Sequence, residues 1–151
     1  MKIGIAADHA GLEQKVKLLE LLKEKNFDIQ DFGAFEYESD DDYPDVVTPL
    51  AKALSDHKID RAIAVCGSGV GVSIAANKFP SVRAALISET YSAHQGVEHD
   101  DMNMICVGGR VLGTSLILEL ILAFLKAEFQ QEERFVRRLD KVLDIEKKNF
   151  K

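Results

Sequence analysis

Cys66 closes an apolar run, Ala62 to Val65, and opens the stretch Cys66-Gly67-Ser68-Gly69-Val70-Gly71. A strand that ends in a thiol and turns through glycines into a helix sets the sulfur beside free backbone N–H groups and the positive end of a helix dipole. That setting favours the thiolate. The same N–H groups can hold a phosphate or a developing oxyanion. A base next to an anion cradle is the minimum needed to move a proton on carbon. The competing reading is a cysteine buried as a small hydrophobe.

Spacing excludes the named glycine-rich motifs. The Walker phosphate loop ends in Gly-Lys-Ser/Thr, whereas Gly71 is followed by Val72 and Ser73. A dinucleotide fingerprint GxGxxG begun at Gly67 requires glycine where Val72 stands. Glu89 lies about twenty residues further on, where a ribose-binding acid would be sought, so a dinucleotide reading stays open on that residue alone. A cysteine phosphatase needs an arginine inside the anion loop, and the first after Cys66 is Arg83.

Three further groups could take part. Asp8-His9 follows the first apolar run and precedes a helix, so both side chains can face a cleft; the alternative is Asp8 as helix N-cap and His9 as a surface residue. His99, in Glu98-His99-Asp100-Asp101, closes a helix, where it can do acid–base work or simply complement the helix dipole. Arg134 and Arg138 stand i, i+4 on the last helix, with Arg137 close by. Paired arginines clamp phosphate; the alternative is surface pairing with Glu132, Glu133 or Asp140. His9, Asp8 and Cys66 are the one conceivable metal set and lack ligand spacing, so no metal is expected. His57 and His94 carry no partner signal and read as surface residues. The acidic run Glu36 to Asp42 reads as a solvated loop, with the rim of a cleft as a second placement.

Two alternating patterns must position these residues. Apolar runs that read as strands buried on both faces are Lys2–Ala7, Asp28–Phe32, Arg61–Cys66, Val82–Ile87 and Met104–Val107. Between them lie helical patterns: Leu12–Lys25 with Val16, Leu19 and Leu22 on one face, then Pro44–Leu54, Val70–Lys78, Ser92–His99, Ser115–Glu128 and Glu133–Lys147. Strict β–α alternation predicts one α/β domain, a Rossmann-like open parallel sheet of about five strands with helices on both faces. With the strand order expected as 2-1-3-4-5, the reversal lies between the first and third strands, where ligands bind beyond the C-terminal strand ends. Asp8-His9 and Cys66 would face each other across that crevice.

At 151 residues, 46% hydrophobic and 29% charged, the chain can build one core without staples. A net charge of −6 argues against nucleic-acid partners. No apolar stretch reaches the ~18 residues that span a membrane. The longest, Leu116 to Leu125, is interrupted by Glu119. The N-terminus enters a strand without signal-peptide organisation. Two cysteines in apolar runs are no disulfide framework, so a reducing cytoplasm is the expectation.

The chain resembles the ribose-5-phosphate isomerase B family, which includes galactose-6-phosphate isomerase subunits, over nearly its whole length. The carriers are Ala7-Asp8-His9-Ala10-Gly11, Asp42-Tyr43-Pro44, and the long block Cys66-Gly67-Ser68-Gly69-Val70-Gly71 running on through Ser73-Ile74-Ala75-Ala76-Asn77-Lys78. Ser88-Glu89, Tyr91-Ser92-Ala93 and Gly109-Arg110-Val111-Leu112-Gly113 complete the match.

The resemblance implies an aldose–ketose isomerase of a phosphorylated sugar, ribose 5-phosphate first, with galactose 6-phosphate, allose 6-phosphate or a tetrose phosphate as alternatives. A non-catalytic sugar-phosphate-binding subunit is a further alternative. Cys66 matches the base that shuttles a proton between C1 and C2 through a cis-enediolate. The amides of Gly67, Gly69, Val70 and Gly71 match the enediolate cradle, and Ser68 with His99 matches the pair that opens the furanose ring. Asp8 matches a sugar-hydroxyl contact, His9, Arg134 and Arg138 phosphate contacts, and Arg110 a further substrate-side arginine. No cofactor is implied; dimers or tetramers with shared active sites are, with the C-terminal helix expected at a subunit interface. Three features depart from the family: Asp100 where Asn is usual, Gln130-Gln131-Glu132-Glu133 before the arginines, and His94 within a helix.

Overall fold

The computed structural model describes residues 1–150. In chain order the elements are β1 (Ile3–Ala7), α1 (Leu12–Glu24), β2 (Ile29–Asp31), α2 (Tyr43–Ser55), β3 (Arg61–Cys66), α3 (Val70–Ala76), β4 (Ala84–Leu86), α4 (Thr90–Asp100), β5 (Met104–Gly108), α5 (Thr114–Lys126) and α6 (Glu133–Asn149). Every expected strand and helix is present, with ends shifted by up to two residues. The sheet is parallel throughout, as the alternation predicts, and reverses between β1 and β3, as in the expected order.

Its order is β2-β1-β3-β5-β4, which corrects the expected placing of the fourth strand beside the third. All five residues of β5 are buried, whereas β4 is three residues long, none of them fully buried. A strand apolar on both faces belongs in the sheet's interior, and a short, partly exposed one makes a tolerable edge. The swap matters for the site. With β5 beside β3, Gly109 N–H donates to the Cys66 carbonyl at 2.8 Å and Arg110 N–H to the Gly67 carbonyl at 3.0 Å. Had β4 intervened, that turn would lie about 10 Å from β3, two strand spacings away.

Helices cover both faces of the sheet. One layer packs Leu18 and Leu22 of α1, Ala93 and Val97 of α4, and Ile117, Leu120, Ile121 and Phe124 of α5 against Ile5, Ile63 and Ile105. The other packs Val47, Leu50, Ala51 and Leu54 of α2 and Val72 and Ala76 of α3 against Ala62, Ala64, Met104 and Cys106. On α1 the buried stripe is Lys15, Leu18 and Leu22, while Val16, expected on that face, is 48% exposed. Lys15 takes the inner position because its ammonium reaches Asp31 at 2.8 Å and the Ala34 carbonyl at 2.5 Å, so a buried charge is fully paired.

Helix α6 crosses the end of the sheet where the strands begin. Phe135 is its one buried residue; further along, Glu146 accepts from the Ser81 N–H at 2.8 Å, while Val142 and Ile145 stay exposed. No helix among the described residues is long and apolar enough to cross a membrane.

Candidate active site

A cleft of about 530 Å³ opens beyond the C-terminal ends of β1 and β3, lined by Asp8, His9, Tyr43, Cys66, Ser68 and Arg110 among others. Cys66 sits at its floor, 5% exposed, and its Sγ accepts from the Gly69 N–H at 3.1 Å. Gly69 has a φ of +82°, and a Cβ there would lie 2.6 Å from Leu86 Cδ1 and 2.8 Å from the Val107 backbone carbon. Only glycine turns the chain this sharply into α3. Ser68 Oγ accepts from the Val70 N–H at 3.2 Å. At Gly71 a Cβ would strike the Tyr43 ring at 2.7 Å, so glycine lets the phenol lie over the first turn of α3. The N–H groups of that turn have no intrahelical acceptor and supply donors beside the sulfur.

Asp8 and His9 form the facing wall, on the turn between β1 and α1. Asp8 is 6% exposed, and its Oδ1 accepts from the N–H groups of Ala10 and Gly11 at 3.0 and 3.1 Å. It therefore braces the turn and lines the cleft together. Burial is the chief cause that pushes its carboxyl above the ordinary range, with the backbone N–H of Gly11 and the His9 ring working the other way. Cys106, wholly buried one strand over, has its thiol pushed up by burial and by Cys66, and stays protonated.

The second set of expected site residues lies elsewhere. His99 is at the C-terminal end of α4, which runs antiparallel to the strands and so ends where they begin. There its ring stacks on Phe135 of α6 with centroids 3.9 Å apart, and its Nδ1 meets Gln95 Nε2 at 2.8 Å. Asp100 is exposed beside it. Arg134 lies over the Phe135 ring and 3.4 Å from Glu132, and Arg138 is exposed one turn further along α6. At Arg134 the structure shows the surface pairing, with Glu132. One chain brings Asp8, His9, Cys66, Ser68 and Arg110 together at one end of the sheet, and His99, Asp100, Arg134 and Arg138 at the other.

Sequence reasoning missed one residue of the cleft and one that meets its wall. Asp41, read as part of an acidic run in a solvated loop or at a cleft rim, has its side chain nine-tenths buried and accepts from His9 Nδ1 at 2.6 Å. Tyr43, noticed only within Asp42-Tyr43-Pro44, covers Gly71. His94, expected to lack partners, meets Glu98 at 3.1 Å and Tyr91 edge-on. Donor atoms of Asp8, His9 and Asp41 lie within 4.8 Å of one another and could in principle converge on a cation. Backbone amides engage Asp8 Oδ1, and His9 engages Asp41 Oδ1 through its ring and its backbone N–H.

The family model described as Ribose/Galactose Isomerase matches residues 3–142. A ribose-5-P isomerase B of Listeria innocua is 37% identical over 149 residues, covering 99% of both chains. A D-erythrulose-4-phosphate isomerase of Pectobacterium atrosepticum is 37% identical over 130 residues, 86% of each chain. Among solved structures, ribose-5-phosphate isomerase B of Clostridium thermocellum superposes with a TM-score of 0.93 at 43% identity, covering 98% of this chain and 99% of that one. The Mycoplasma genitalium enzyme with bound ribulose-5-phosphate gives 0.92 at 38% identity, covering 98% and 97%. Matches at these identities run along nearly the full length of both partners, and the chain belongs to the ribose/galactose isomerase family.

Proposed function

We propose that this chain, an aldose–ketose isomerase of sugar phosphates by family, interconverts ribose 5-phosphate and ribulose 5-phosphate with Cys66 as the base. The observation that carries the chemistry is the Cys66 thiol held by the Gly69 N–H at the floor of a cleft whose walls bear His9 and Arg110. Ser68 and His99 open the furanose by moving a proton from the anomeric hydroxyl and delivering one to the ring oxygen. The thiolate then takes the proton from C2; the electron pair becomes the C1–C2 double bond, and the C1 carbonyl oxygen gains the charge. Amides of Gly67, Gly69, Val70 and Gly71 stabilise that enediolate where the charge develops. The thiol returns its proton to C1 while the O2 hydroxyl proton passes to O1, which leaves the C2 ketone. Asp8 accepts from a sugar hydroxyl, and His9, Arg134 and Arg138 hold the phosphate, with Arg110 adding charge on the substrate side.

For these residues to meet one substrate, His99, Asp100, Arg134 and Arg138 must come from a second copy of the chain. Cys66 pairs with Gly108 and Ala62 with Met104, so four strand residues, about 13 Å, separate the sulfur from the level at which α4 ends. The apolar residues that α6 leaves exposed fit a subunit interface in a dimer or tetramer.

A second reading, the same chemistry on another sugar, rests on Asp100. A carboxylate there accepts hydrogen bonds but cannot donate to an enediolate oxygen, which favours a substrate with a hydroxyl to offer. Intact Cys66, Ser68 and His99 weigh against a silent binding subunit. The test is kcat/KM for ribose 5-phosphate, galactose 6-phosphate, allose 6-phosphate and erythrulose 4-phosphate. Ribose 5-phosphate should lead; a tenfold advantage for another sugar, roughly 1.4 kcal/mol in transition-state binding, would overturn the assignment.

A further inference from the structure

We propose that Asp41 is the positioning residue for His9, holding the imidazole by Nδ1 so that Nε2 is presented as an N–H donor to the substrate phosphate. The inference rests on the reading of His9 as a phosphate contact and adds what makes that contact work. Asp41 Oδ1 accepts twice from His9, from Nδ1 at 2.6 Å and from the backbone N–H at 3.1 Å. The two bonds fix both the residue and its ring. With Nδ1 engaged, Nε2 is the ring nitrogen left for a ligand, and His9 lines the same cleft as Cys66 and Arg110.

The reach of Asp41 is built into the fold. Its loop leaves β2 through Gly33 and Ala34, which pair with both the N–H and the carbonyl of Ala7 at 2.8 and 2.7 Å, and Lys15 ties Asp31 to the Ala34 carbonyl. At the far end the loop enters α2, where the Asp45 N–H donates to the Asp42 carbonyl at 3.0 Å. Both ends are pinned, and Asp41 is delivered across the mouth of the β1–α1 turn.

Charge explains why a carboxylate serves here. A neutral imidazole that gives its Nδ1 proton to Asp41 turns a bare lone pair on Nε2 toward the ligand, which repels a phosphate dianion. Only the imidazolium donates from both nitrogens. The side chain of Asp41 is 10% exposed, and its Oδ2 is buried without a partner among the described residues, so the His9 ring is the counter-charge at hand. The charged or titratable groups around His9 are Asp41, Asp8, Glu13, Tyr37 and Arg110, and the three carboxylates outnumber the one cation.

The experiment compares Asp41→Asn and His9→Ala with the unsubstituted enzyme, using ribose 5-phosphate as probe and following kcat and KM from pH 6 to 9. Asp41→Asn should raise KM about tenfold near neutral pH with little change in kcat. His9→Ala should raise KM at least as much, again with little change in kcat. If His9→Ala raises KM while Asp41→Asn overlays the unsubstituted enzyme at every pH, the positioning inference fails and the phosphate contact stands. If His9→Ala leaves KM unchanged, both fall. Should Asp41→Asn not fold, ring ¹⁵N shifts of His9 in the unsubstituted enzyme with saturating inorganic phosphate decide the matter: two protonated nitrogens support the inference, and a bare Nε2 overturns it.

Discussion

Two enzymes that are each dead should make a live one. Cys66→Ala removes the proposed base from one end of the sheet, and His99→Asn removes the proposed ring-opening acid–base from the other. Each change alone should cost about 10²- to 10⁴-fold in kcat, the usual worth of a positioned acid or base. Within one chain the two residues stand about 13 Å apart along the strand direction alone, beyond what two groups contacting neighbouring atoms of one sugar can bridge. If each site takes Cys66 from one subunit and His99 from the other, a heterodimer of the two variants has one site with both lesions and one site with none. Random pairing makes half the dimers mixed, so the mixture should recover about a quarter of the unsubstituted activity. The assay is co-refolding of differently tagged variants, tandem purification of the mixed species, and isomerase activity on ribose 5-phosphate. Activity in purified heterodimers no higher than that of either parent would refute the shared site, since every chain then carries its lesion into its own site.

Cys66→Ala alone should abolish isomerisation while the fold and ligand binding persist; retention of a tenth of kcat would identify another base. Arg134→Ala and Arg138→Ala should each weaken phosphorylated substrates by about 1.5–3 kcal/mol, with free sugars unaffected, because a charge-assisted contact to the phosphate is lost from an exposed side chain. Unchanged kcat/KM would return them to the solvated surface. Asp100→Asn should preserve or raise activity on ribose 5-phosphate and lower it on any other sugar that is the better substrate; a uniform collapse across the panel would make Asp100 part of the catalytic machinery. Asp8→Asn tests pH linkage. The raised carboxyl of Asp8 costs stability at neutral pH, and that cost is relieved as pH falls through its folded value. The variant should melt no lower than the unsubstituted protein at pH 7 and gain less between pH 7 and pH 4; a Tm lower by more than about 3 °C at pH 7 would show that the anion's bonds to Ala10 and Gly11 outweigh its desolvation.

The order of apolar runs and helical stretches along the chain determines the α/β layering, because period and burial pattern are local properties. Given an order that begins 2-1-3, the crevice lies between β1 and β3, since a sheet that starts β1–β2 and continues on the other side of β1 must reverse there. Cys66 and Asp8-His9 at strand ends then fall on facing walls. Tertiary structure alone decided the rest. Whether β4 or β5 neighbours β3 is a long-range pairing that both connection lengths allow, and burial on both faces gave the place to β5, which put the Arg110 N–H on the Gly67 carbonyl in the cleft that Cys66 lines. A lysine inside a helix face reads as solvated until Asp31 and the Ala34 carbonyl are found around it. One carboxylate among the acidic residues 36–42 is set apart by where a pinned loop ends, which is why Asp41 met His9 unannounced. The far placement of His99, Asp100 and the α6 arginines follows from α4 running back along the sheet, and no spacing in the sequence carries the distance between the two ends of a sheet.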